Sequence, residues 1–172
     1  KFFKNKIRFF RQASLEAQIA SISDDIAYNS HDLEDGLKAN LFNIEDLMNI
    51  PILSEIIKKN KKNFFKSHKE LVLRQIIREI IDEMVKDVIT NTKKNIRANN
   101  IKTINDVYKN RDMVVCFSKK MNAFDISIKK FLKEKMYYSK EVLNKTKKGK
   151  KIIHQLFLNI VKNPKKYIKN IN

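Results

Sequence analysis

Along most of this chain apolar residues recur every three or four positions, the spacing that turns one stripe of a helix toward a core. Leu15, Ile19, Ile22 and Ile26 form the first such stripe. Ser14 precedes it as a capping hydroxyl, so a first helix is predicted from there to Asn29 or beyond. Gly36 is expected to bend or break that helix, with Leu37 and Leu41 on a second helical stretch. Asn43 stands where it would cap a short turn holding Ile44, Leu47 and Met48, and Pro51 suits the first turn of a helix to about Lys58. The basic segment from Lys58 to Lys69, with Phe64 and Phe65 inside it, reads as a linker or exposed turn. Ser67 and Glu70 have capping-box spacing and announce the longest helix. Its apolar residues, from Leu73, Ile76 and Ile77 to Val85, Val88 and Ile89, are expected to bury one face completely. Thr103 should cap a short helix with Ile104 and Val107, and Ser118 one reaching about Tyr138. A last helix carries Val142, Ile152, Ile153, Leu156, Phe157, Ile160 and Val161 and stops near Pro164. Gly149 is expected to weaken or interrupt it, and the basic tail from Asn163 to fray.

Two Gly and two Pro in 172 residues leave few punctuators between these stripes, so the fold class is all-α. The charge is more equivocal. Lys+Arg 37 against Asp+Glu 19 gives a net charge of +18, which attracts nucleic acid, nucleotides or an anionic membrane face. Lys, Asn and Ile are also abundant together, as AT-rich coding DNA would produce, so the basic surface argues only weakly for nucleic acid. A single cysteine excludes an internal disulfide framework and fits a reducing compartment. Cys116 lies in the apolar run Met113–Phe117 and reads as a small buried hydrophobe. No run approaches the ~20 apolar residues that span a bilayer, and the basic, aromatic start has no apolar stretch of a signal peptide behind it. A soluble, cytoplasmic protein is the expectation. The chain opens on Lys1 rather than Met, and a fragment or a processed chain is expected.

Chemistry concentrates between Ser14 and Leu41. Asp24, Asp25, Asp32, Glu34 and Asp35 crowd together in an otherwise basic chain. Asp24, Tyr28 and Asp32 stand at i, i+4 and i+8 and so share one helical face. Carboxylate, phenol and carboxylate in a row can line a polar cavity. One would bind a hard or borderline metal, and the others would accept hydrogen bonds from sugar hydroxyls. The same acids also fit a solvated helix surface or the positive end of a helix dipole. One carboxylate makes a poor metal site, since catalytic sites present several protein ligands. His31, His68 and His154 lie on different segments without HxxxH or HxH spacing and read as surface or capping residues.

The run SLEAQIASISDDIAYNSHDLEDGLKA resembles the segment SLEAQ-A-ADDIAY-HD-DDGL-A of the dGTPase-like dNTP triphosphohydrolases, a branch of the HD-domain superfamily. Weaker patches continue in the family's order: Leu47 to Ile52, Ile77 to Ile89, Lys130-Phe131-Leu132 with Met136-Tyr137 and Val142, and Leu156-Phe157 to Pro164. The first motif is highly specific, and the resemblance covers nearly the whole chain. It implies a helical HD-superfamily fragment, a single region over 1–172, with the metal- and sugar-site helix and the helices after it in 1–57 and a helical C-terminal part in 58–172. It implies a divalent metal (Mg, Mn or Fe) held by a His, a His-Asp pair and a later Asp, and Asp24 matches that last Asp. The other ligands belong upstream of the matched motif; His31-Asp32 follows it and is not that pair. Tyr28 and Asp32 match residues that contact the deoxyribose near its 3′-hydroxyl in relatives. Arg78 matches a family Arg, with a phosphate-facing role and a structural ion pair both open, and Arg74 is the weaker candidate.

Two departures stand out. Tyr138 and Lys38 replace arginines common in relatives, and Lys38 would lose bidentate phosphate geometry. The family's C-terminal element is also lacking. The resemblance therefore implies an intact parent that hydrolyses a dNTP to deoxynucleoside and triphosphate, with this piece inactive by itself. It also implies a homo-oligomer and, as a further partner, single-stranded nucleic acid. The lysine clusters Lys58–Lys62 and Lys147–Lys151 make a basic nucleic-acid-binding module one alternative reading, and a catalytically dead regulatory subunit is another.

Overall fold

The structure is a computed structural model that describes residues 12–60 and 69–167. Among these residues there is no strand. The helices are α1 (Leu15–Lys38), α2 (Ile44–Leu47), α3 (Pro51–Asn60), α4 (Lys69–Ala98), α5 (Ile104–Lys109), α6 (Lys119–Leu132), α7 (Lys140–Lys162) and α8 (Pro164–Tyr167). A π turn, Lys133–Tyr137, extends α6. Of the expected linker from Lys58 to Lys69, Lys58–Asn60 belong to α3 and Lys69 to α4, while the rest, with the capping hydroxyl of Ser67 and with His68, lies outside the described residues.

Helix starts follow local chemistry. The Ser14 hydroxyl accepts from Ala17 N, Thr103 accepts from Asp106 N, and Ser118 accepts from Met121 N. Each satisfies a donor that the first turn leaves without a partner. Asp87 of α4 adds a second anchor for α6, accepting from Ser118 N at 2.8 Å and Ser118 Oγ at 2.6 Å.

Gly36 does not break α1, which runs on to Lys38. Its lack of a side chain serves packing instead. A Cβ there would lie 2.2 Å from Cε1 of Phe42, whose ring packs edge-on against Phe131 at 4.9 Å between centroids. The real stop is Asn40, with φ 54°. Asn40 N donates to Leu37 O and Leu41 N donates to Gly36 O, the paired bonds of a Schellman ending. Asn100, φ 50°, ends α4 in the same way. Gly149 likewise leaves α7 continuous.

The core lies around α4, which packs against both α1 and α3, with α6 against α1. Leu33, Leu53, Ile80, Met84, Ile128 and Leu132 are completely buried within it. The long stripe of α4 is only partly covered. Ile76, Ile80 and Met84 are buried, whereas Val85 and Ile89 are exposed beside α1. They border a groove of about 360 Å³ with Ile19, Ile22 and Ile26. Expecting one fully buried face was therefore too simple: thirty residues of helix outrun the partners packed on it.

Segment 113–117 crosses this core as irregular backbone, and side-chain amides satisfy its polar groups. Buried Gln18 accepts from Val114 N at 2.9 Å and Val115 N at 3.0 Å. Asn91 and Asn95 donate to the carbonyls of Cys116 and Val114. Cys116 is half-buried, and both amides also approach its sulfur.

Candidate functional site

In α1 the apolar positions Ile22, Ile26 and Leu33 face the core, so the stripe half a turn away faces outward. That outward stripe holds Asp24, Tyr28 and Asp32, and the helix is unbroken through all three. The sequence expectation that they share one face therefore holds. The expectation that they turn into one cavity is not met by the described residues. Asp24 is exposed, Tyr28 is 58% exposed, and Asp32 alone is half-buried.

A second tyrosine joins the stripe. Tyr137, at the end of the π turn, donates its hydroxyl to Asp32 Oδ2. Burial, the Asp32 carboxylate and Tyr28 all push the Tyr137 phenol far above the ordinary tyrosine range. It therefore stays protonated and serves as a donor at neutral pH. The π turn makes this meeting possible. Tyr138 N bonds Lys133 O, five residues back, and the extra residue rotates Tyr137 relative to where an α-helix would carry it. Sequence reasoning passed over Tyr137 as a site residue, although it stands in the stretch Met136-Tyr137. Helical periodicity carries no signal for a π turn.

On the neighbouring face of α1 a polar network reaches α6. Asn29 Nδ2 donates to Asp125 Oδ1 at 2.9 Å, Lys129 Nζ lies 2.8 Å from Asp125 Oδ2, and the same ammonium lies 3.1 Å from Asp25 Oδ2. Asp125 is 5% exposed. Burial alone would lower the Lys129 pKa, but its bonds to Asp125 and Asp25 outweigh that and raise it. Neither Asp125 nor Lys129 was singled out from sequence, because a polar contact across 104 residues leaves no local pattern.

The remaining sequence candidates sit apart. Arg78 is exposed on α4, and among the described residues no ion pair or side-chain hydrogen bond engages it. Arg74 is exposed one turn earlier. Lys38 bonds Glu34 at 2.7 Å and holds that carboxyl below its ordinary value, against the opposing effect of burial. His31 and His154 are on the surface, as expected.

Among the described residues no group of three or more His, Cys, Asp or Glu is placed to hold a metal ion. Asp24 fits such an ion as one carboxylate ligand only: it is exposed, and no described ion pair or side-chain hydrogen bond occupies it. No helix of the described residues is long and apolar enough to cross a membrane.

Residues 115–171 match the family described as "Phosphohydrolase-associated domain". Three relatives share one printed name, "Deoxyguanosinetriphosphate triphosphohydrolase-like protein". That of Pelagibacter ubique is 48% identical over 168 residues, covering 98% of this chain and 45% of the relative. That of Bradyrhizobium diazoefficiens is 33% identical over 152 residues, covering 88% of this chain and 38% of the relative. That of Neorickettsia sennetsu is 34% identical over 147 residues, covering 86% and 38%. The chain thus spans less than half the length of these curated relatives. The DDIAY-bearing helix, the all-helical fold around it and these matches together make the chain a member of the deoxyguanosinetriphosphate triphosphohydrolase-like family, matching part of its longer members.

Proposed function

We propose that this chain forms one wall of the active site of a metal-dependent dNTP triphosphohydrolase, which splits a deoxynucleoside triphosphate into deoxynucleoside and triphosphate. The observation that carries the reading is the outward stripe of α1, with Asp24, Tyr28 and Asp32 in line and Tyr137 donating to Asp32.

In this reading Asp24 gives one carboxylate to a divalent cation, Mg, Mn or Fe. The remaining ligands would come from parts of the longer protein, so the stretch alone is inactive. The bound cation would supply Lewis-acid polarisation of the phosphoryl group. The chain's own residues do the positioning. Asp32, fixed by Tyr137, accepts a hydrogen bond from the sugar hydroxyl. Tyr28 lies along the sugar and excludes water from one side of it. Together they hold the α-phosphorus where attack can proceed in line. Arg78 would neutralise triphosphate charge only if the rest of the protein carries the nucleotide over α4. A cytoplasmic setting suits a dNTP substrate.

The test is triphosphate release from dNTPs by the protein at its full natural length. Asp32→Ala should raise KM at least about tenfold, the loss of one charge-assisted hydrogen bond of roughly 1.5–3 kcal/mol. An unchanged KM would reject the sugar-binding role.

Two partner readings have specific support. Lys93, Lys94 and Arg97 border an open concavity on α4 with no acid in its lining, which favours single-stranded nucleic acid as a partner. Its affinity should fall steeply with added salt. The apolar residues of α7, none of them buried, favour a homo-oligomer, to be read from the mass in solution. A catalytically dead regulatory subunit would bind the nucleotide and release no triphosphate.

A further inference from the structure

Asp25 and Asn29 stand one residue after Asp24 and Tyr28, and so lie about 100° around α1 from them. Those two positions are the ones that meet α6. Asp125, buried in α6, has both oxygens engaged, one by Asn29 at 2.9 Å and the other by Lys129 at 2.8 Å. Lys129 then reaches back 3.1 Å to Asp25. The network thus grips α1 at two consecutive turns. Apolar contacts are non-directional and absorb a small rotation more readily than a hydrogen bond does. A buried carboxylate with two fixed partners does not absorb one, because turning α1 would take the Asn29 donor away from Asp125 and Asp25 away from Lys129. No other described charged group pairs with Asp125 or Lys129.

We propose that Lys129, seated on Asp125, is a positioning residue for the metal-ligand carboxylate: it fixes the rotation of α1 that aims Asp24 and Tyr28. The inference rests on the metal role of Asp24 proposed above. Lys129 carries a positive charge and pairs with Asp25, the neighbour of Asp24, which gives its removal a diagnostic sign. If Lys129 acted through charge alone, deleting it would tighten cation binding. If it positions α1, deleting it loosens cation binding.

The experiment is Mn²⁺ titration of the protein at its full natural length, alongside thermal unfolding. Lys129→Met should weaken Mn²⁺ binding about tenfold, the usual scale for groups that orient a ligand from behind, and Lys129→Arg should restore most of it. Lys129→Met strands Asp125, so the double variant Asp125→Asn/Lys129→Met, which keeps the buried pair neutral, is measured as well. It should fold and still bind Mn²⁺ weakly. Unchanged or tighter Mn²⁺ binding in either folded variant, with only the melting temperature lowered, overturns the proposal. If Asp24→Ala binds Mn²⁺ as well as the unsubstituted protein, the metal reading fails first and takes this inference with it. That result is distinguishable because it leaves the Lys129 variants without a site to orient.

Discussion

Tyr137 gains its importance from one hydrogen atom. Replacing it with Phe keeps the ring against the π turn and removes the donor to Asp32. The expected loss is about 1 kcal/mol of stability, with a raised KM for nucleotide, measured by denaturant unfolding and steady-state kinetics. The same group sets an alkaline limit. Its folded pKa lies above the ordinary phenol value of about 10, so the folded state holds this proton more tightly than the unfolded chain does. Its contribution is complete below about pH 10 and is lost as pH rises beyond that; phenolate absorbance should show one tyrosine resisting ionisation. Glu79 works in the opposite direction. Burial pushes its carboxyl up, but hydrogen bonds from Gln75, Asn60 and Lys59 prevail and hold it below the ordinary value. The stabilisation is therefore present above the unfolded carboxylate pKa of about 4.3 and lost as pH falls below it. Glu79→Gln should flatten the acid limb of the stability–pH curve. Gly36→Ala would press a methyl into the Phe42 ring, at a cost of roughly 1–3 kcal/mol in thermal unfolding.

Elements were more legible than their joints. Ser14, Thr103 and Ser118 announced three helix starts, because a capping hydroxyl and the turn after it are adjacent in sequence. Glycine misled at 36 and 149. Its backbone freedom suggested breaks, while the left-handed stops fell on Asn40 and Asn100. The π turn was invisible, since it adds a residue without altering which residues are apolar. α7 is the element least explained by its surroundings. Phe157 is 62% exposed and Ile153 68% exposed on it, so its stripe contributes little to the fold of this stretch. Ile153→Ser should shift unfolding free energy by no more than about 0.5 kcal/mol. By contrast Leu33→Ala, in the contact of α1 with the core, should cost about 2–5 kcal/mol.

At the scale of the molecule, the one face that sequence spacing assigned to Asp24, Tyr28 and Asp32 is real, because helical periodicity fixes which side chains share a side. What spacing could not supply was concavity. A pocket needs walls from elsewhere in the chain, and less than half the length of the curated relatives is represented here. Tyr137, the described partner of the stripe, and the Lys129–Asp125 pair on the neighbouring face come from about a hundred residues away, where no local pattern points to them. The metal role proposed for Asp24, an exposed carboxylate, requires further ligands that the described residues do not supply. Divalent-metal content of the protein at its full natural length, measured with and without Asp24→Ala, is the most direct examination of that role. The account predicts that the unsubstituted protein retains the metal through gel filtration and that Asp24→Ala loses both the metal and triphosphate release. Equal metal content and equal turnover in the two proteins would contradict it.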